Sequence, residues 1–134
     1  SLRCDCRDQL SNSLKLISSK EKGILIYLKK QEGRGIGLMN KINAYSLQDK
    51  GFDTVEANHQ LGFVPDLRTY ENVKHVLNYF NISSISLITN NPEKIKQIKN
   101  NGLKIIKRIP LKIGPNQFNK DYLKTKKDKL GHLL

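Results

Sequence analysis

Between Thr54 and Arg68 the chain places Thr54, Glu56, Asn58, His59, Gln60, Asp66 and Arg68 within 15 residues. The Thr54–Phe63 block shows no helical or strand-like alternation that would give each polar group a solvated face. A segment so dense in hydrogen-bonding and ionisable side chains points to a pocket. Asp66 and Arg68 lie two apart, so in an extended segment they project to the same side. Such a pair is either a structural ion pair or a working one, in which the carboxylate handles a proton and the guanidinium meets a phosphate. Glu56, three residues after Asp53, also fits a capping box. His59 is open to three roles: base, metal ligand or satisfied polar group.

Two further segments suit an anion. Gly33, Gly35 and Gly37 follow a predicted strand and precede a predicted helix, where unsatisfied N–H groups and the helix dipole favour negative charge. Arg34, inside that loop, can fork onto phosphate oxygens. The loop has neither the Walker ending nor the dinucleotide-binding spacing, so alone it reads equally as a tight turn or a phosphate cradle. Thr89 and Asn90 end a second predicted strand and Pro92 opens a helix, at the strand ends where open α/β sheets place ligands. Lys94 in that first turn opposes the dipole but suits a phosphate; the plain alternative is an ordinary N-cap. Cys4 and Cys6, the only cysteines, are poorly spaced for a disulfide. They could form half of a zinc site, which needs three or four protein ligands.

The elements that position these residues follow from periodicity. Leu10, Leu14 and Ile17 predict a helix from Asp8 to about Lys20. Gly23–Leu28 is short and almost wholly apolar, as a buried strand would be. Leu38, Ile42 and Tyr45 mark a helix ending near Gly51, and Tyr70, Val73, Leu77 and Phe80 mark another. Ile82–Thr89 and Leu103–Pro110 read as strands. Between them lies a helix capped by Asn91, started by Pro92 and stopped by Gly102. After Gly114 the chain is Lys-rich, and either irregular or a terminal helix. Strands alternating with helices predict a single α/β domain over residues 1–134.

Residues 94–134 carry 11 Lys and one Arg against Asp121 and Asp128, which is +10 of the formal net charge of +12. A basic tail can attract nucleic acid, but these lysines are spread rather than clustered, so a nucleic-acid partner is not the expectation. No run approaches the ~20 apolar residues that span a bilayer. The N-terminal residues lack the apolar stretch of a signal peptide, and a cytoplasmic protein is the default.

Taken in order, the motifs resemble those of GTP cyclohydrolase II. They are Cys-Asp-Cys, Gln-Glu-Gly-Arg-Gly-Ile-Gly-Leu (31–38), Asn-Lys-Ile-x-Ala-Tyr-x-Leu-Gln-Asp (40–49), Thr54–Phe63, Asp-x-Arg (66–68), Leu-x-Thr-Asn-Asn-Pro (87–92) and Gly131-His132-Leu133-Leu134. The resemblance runs essentially from Ser1 to Leu134. It implies the fold of that family and hydrolysis of GTP to formate, pyrophosphate and a diamino-ribosylaminopyrimidinone phosphate, the first step of riboflavin biosynthesis. It also implies zinc, magnesium and a homodimer. Carried over residue by residue, Cys4 and Cys6 resemble two of three zinc ligands. Gln9, Glu32, Gly33, Arg34, Thr54, Thr89 and Lys94 resemble nucleotide contacts, with Tyr45 near the site. Asp66 resembles the proton acceptor, and Arg68 the residue proposed to attack the α-phosphorus. A protonated guanidinium has no lone pair to attack with, so an electrostatic clamp is the other reading of Arg68.

The family's third zinc cysteine lies in a His-Ser-Glu-Cys-Leu-Thr-Gly-Asp segment upstream of Cys-Asp-Cys. The expectation is therefore a chain truncated at its N-terminus, with zinc and GTP sites incomplete. Arg7-Asp8 also replaces the small Gly usual after the second cysteine. Two alternatives stay open: the C-terminal half of a bifunctional enzyme that also makes dihydroxybutanone phosphate, and an impaired relative acting as a binding module.

Overall fold

Residues 2–134 are described by a computed structural model. Cys6–Ser18 forms helix α1. It stops short of the predicted end because the Ser18 and Ser19 hydroxyls donate to the Lys15 and Leu16 carbonyls, at 2.9 and 2.8 Å. Such local bonds compete with a further helical turn. Gly23–Leu28, predicted as a buried strand, is not a strand. Ile24 and Leu25 are about two-fifths exposed and Tyr27 is 71% exposed. Apolar content alone does not make a strand: backbone groups need a neighbour, and the one sheet among the described residues uses two other segments.

Two compact units divide the chain, one of them Tyr27–Arg68. In this unit a 3-10 turn over Glu32–Gly35 leads into helix α2, Gly37–Asp49, and then helix α3, Thr54–Gln60. Helix α3 corrects the reading of Thr54–Phe63 as an aperiodic block. Asp53 Oδ1 accepts from the Val55 and Glu56 amides at 2.8 and 3.0 Å, and Glu56 Oε2 accepts from the Asp53 amide at 3.0 Å. The capping box starts the helix, and its buried side is the pair Ala57 and Asn58. A seven-residue helix with one polar inward residue carries too little apolar contrast for periodicity to show.

The remainder of the described chain forms the other unit. Helix α4 spans Glu71–Tyr79, strand β1 Ser84–Ile88, helix α5 Pro92–Asn100, strand β2 Lys104–Ile109 and helix α6 Lys120–Asp128. The strands pair in parallel, Ser84 opposite Lys104 and Ile88 opposite Ile109. A register shift after Ile85 leaves Ile106 without a partner, and it is 66% exposed. As predicted, Asn91 caps α5 through the Glu93 amide at 3.0 Å, with Pro92 at the start. Gly102 follows at φ 84°, a conformation that suits glycine past a helix end. Tyr70, Val73, Leu77, Ile98, Leu103 and Leu123 are this unit's buried apolar residues. No helix among the described residues is long and apolar enough to cross a membrane.

Candidate functional site

Within Tyr27–Arg68, the glycine-rich turn and the Asp-x-Arg segment are held together. Gly33 and Arg34 both adopt left-handed backbone, φ/ψ 58°/27° and 62°/37°. That conformation costs a non-glycine residue roughly 1–2 kcal/mol, and such strain gathers at functional loops. Gly35 has φ 96°, and a Cβ there would meet Leu67 Cβ at 3.0 Å and the Arg68 amide nitrogen at 3.5 Å. The close approach lets the Leu67 amide donate to the Arg34 carbonyl at 3.0 Å. Asp66 and Arg68 thereby lie beside Arg34.

Arg68 grips Asp66 with a fork: Nε to Oδ1 at 2.8 Å and Nη2 to Oδ2 at 2.5 Å, with the Arg68 amide on Oδ1 at 3.1 Å. Burial pushes the Asp66 carboxyl up. The hydrogen bonds and charge of Arg68, with Arg34 adding its charge, outweigh that and hold it below the usual carboxylate value. Arg34 Nη2 is buried without a hydrogen-bond partner, as is Gln31 Oε1. A buried guanidinium nitrogen with no acceptor is costly and suits an anion that supplies one.

Glu32 meets Lys41 Nζ at 2.5 Å. That hydrogen bond chiefly lowers the Glu32 carboxyl below its ordinary range, against the opposing effect of burial. Lys41 also lies 5.6 Å from the Tyr45 ring centre, joining Glu32 to Tyr45. The sequence reading missed Lys41; its signal was the four-residue spacing to Tyr45 along α2. Thr54 is the first residue of α3 and half-buried. Glu56, His59 and Gln60 line a separate open groove with Lys50, Gly51 and Phe52, which none of Arg34, Asp66 and Arg68 borders.

In the other unit, Thr89 Oγ1 accepts from the Asn91 amide at 3.1 Å and is buried. With Asn91 capping Glu93, two amides at this helix start are bonded internally. Anion binding here would rest on the charge of Lys94, whose Nζ lies 5.3 Å from the Tyr70 ring centre. Asn90, from the same motif, braces the segment after β2 instead: its side chain exchanges hydrogen bonds with the Leu111 backbone at 2.6 and 3.2 Å.

Cys4 and Cys6 form no disulfide. The neighbouring Cys4 thiol, then burial, pushes the Cys6 thiol up. Between them Asp5 is buried and bonded to Gln9 Nε2 at 2.8 Å and Lys126 Nζ at 2.7 Å. Burial acts to raise the Asp5 carboxyl, but Lys126 and Gln9 more than offset it, so its pKa is lowered. The paired thiols fit zinc in kind, as two soft donors. Among the described residues no third His, Cys, Asp or Glu joins them in a metal-binding group. The predictions also missed Asp5 and Lys126, which no periodic pattern links.

The sequence model of the family described as GTP cyclohydrolase II matches residues 1–110. A protein named GTP cyclohydrolase-2 from Campylobacter hominis is 60% identical over all 134 residues, which cover 67% of its length. One of the same name from Picrophilus torridus is 59% identical, with the whole chain covering 69% of it. A riboflavin biosynthesis protein RibBA from Endomicrobium trichonymphae is 57% identical over the whole chain, covering 33% of that protein.

Proposed function

The chain belongs to the GTP cyclohydrolase II family, and on that premise we propose that it hydrolyses GTP to formate, pyrophosphate and a diamino-ribosylaminopyrimidinone phosphate. The observation that carries this reading is the junction of the Arg34 turn with Asp66-Leu67-Arg68. It gathers two guanidinium groups and an ionised carboxylate, and one buried Arg34 nitrogen lacks an acceptor. Phosphate oxygens supply such acceptors in pairs.

In this scheme Arg34 and Arg68 spread the triphosphate charge; the family's pattern gives Lys94 a phosphate-binding role, and magnesium, when bound, would supply further positive charge. The fork on Asp66 favours Arg68 as a clamp, since a guanidinium held against a carboxylate stays protonated. Asp66 is ionised at neutral pH and takes up a proton once phosphate draws Arg68 away from it. Glu32 accepts from the N–H edge of guanine, as carboxylates accept from base amino groups, and Lys41 and Tyr45 orient it. Gly33, Thr54, Gln9 and Thr89 complete the nucleotide contacts. Zinc held by Cys4 and Cys6, with a donor outside the described residues, would supply Lewis-acid activation of water. Zinc measured per chain by metal analysis, and lost in Cys4→Ser, checks that assignment. We place the protein in the cytoplasm as a homodimer on the family's pattern; sedimentation tests the second point.

Formate release from GTP with zinc and magnesium tests the activity. Asp66→Asn is expected to lower it about 100-fold or more, the usual scale for losing a proton-transfer group. An unchanged rate in Asp66→Asn would remove Asp66 from the reaction. The RibBA relative favours a second reading, the same domain within a longer bifunctional enzyme; sequencing the flanking gene decides it.

A further inference from the structure

Asp5 occupies the N-cap position of α1, yet its side chain makes no capping bond. An aspartate there ordinarily accepts first-turn amides, worth about 1 kcal/mol. Its carboxylate is turned instead to Lys126 and Gln9, one oxygen to each. The Lys126 and Asp5 side chains are 6% and 3% exposed, and the Lys126 ammonium lies 4.4 Å from the Tyr122 ring centre. The tail beyond α6 is itself fastened, the His132 amide to the Lys126 carbonyl at 3.0 Å and the Leu133 amide to the Asn90 carbonyl at 2.9 Å. Lys126 lies outside the residues matched by the family model.

We propose that Lys126 is a positioning residue for the cysteine pair: it holds Asp5 inward and so turns Cys4 and Cys6 to a common side. Both neighbours of Asp5 are more exposed than Asp5 itself, as they must be when the residue between them is drawn inward. The same carboxylate seats Gln9, so one ammonium on α6 sets three residues near the chain's start. What the pair is used for rests on the GTP cyclohydrolase reading, whereas the probe below reads only the thiols.

Phenylarsine oxide provides the test. It condenses with two thiols: two S–H bonds are lost, two S–As bonds form, and the oxide oxygen leaves as water with no change of oxidation state. The parent is expected to take up one arsenical per chain. Lys126→Met should bind it about tenfold more weakly, because the second thiol loses effective concentration, while Lys126→Arg restores most of the affinity. Should Lys126→Met fail to fold, Asp5→Asn/Lys126→Met removes the stranded charge and is expected to show the same weakening. Parent-like affinity in a folded variant lacking the pair, even with a lowered melting temperature, would mark Lys126 as structural only and overturn the proposal. A parent that takes up no arsenical would overturn it too. Intact arsenical binding without GTP turnover would instead count against the GTP reading alone.

Discussion

Asp66 pairs with Arg68 two residues away, whereas Asp5 pairs with Lys126 across 121 residues. The first pair is about one-fifth exposed at each side chain; the second is almost fully buried. A pair two residues apart needs almost no chain closure, and water still reaches it, so it can be rearranged by a ligand at little cost. A pair that closes most of the chain orders a long loop and leaves an expensive charge behind if either member is lost. The contrast separates a group suited to work from a group suited to hold.

Stability measurements sharpen that contrast. Lys126→Met is expected to lower the urea unfolding free energy by about 3–5 kcal/mol, the scale for stranding one member of a buried pair, with most of it regained in Asp5→Asn/Lys126→Met. Asp66→Asn should be the opposite case, costing stability little and formate release heavily. Equal losses of stability in the two would erase the distinction. Gly35→Ala comes next, at roughly 1–3 kcal/mol, because φ is 96° and the new Cβ would press on Leu67. It should weaken the Arg34 junction without altering arsenical uptake.

The smallest effect is the response to acid. The Asp66 carboxyl is lowered in the folded state from 3.8, so in acid the unfolded chain binds the proton more readily than the folded one. Its contribution is present above 3.8 and is lost as pH falls through the lowered folded value. Urea midpoints taken downward from about pH 5 should fall less steeply in Asp66→Asn than in the parent. Identical slopes would mean that Arg68 and Arg34 do not hold the carboxylate down.

Local chemistry is what made parts of this molecule readable. Helix α5 and the adjoining ends of strands β1 and β2 were legible because Asn91, Pro92 and Gly102 punctuate them. The proximity of Asp66 to Arg68 was legible from spacing alone. Gly23–Leu28 was misread because apolar content does not reveal whether a pairing partner exists. The start of helix α3 was legible in the Asp53–Glu56 capping box, but its course was misread because its inward face holds a polar Asn58. The left-handed backbone of Arg34 leaves no mark on composition. Asp5 and Lys126 are joined by a fold that must already exist before they meet.

That last pairing fixes an order of events during synthesis. Ribosomes extend a chain at about 5–20 residues per second, so roughly 6–24 s separate the making of Asp5 from that of Lys126. Throughout that interval the Cys-Asp-Cys segment is without its clasp, although β1, α5 and β2 are complete earlier. The Cys-Asp-Cys segment thus cannot gain its buried clasp until Lys126 has been made.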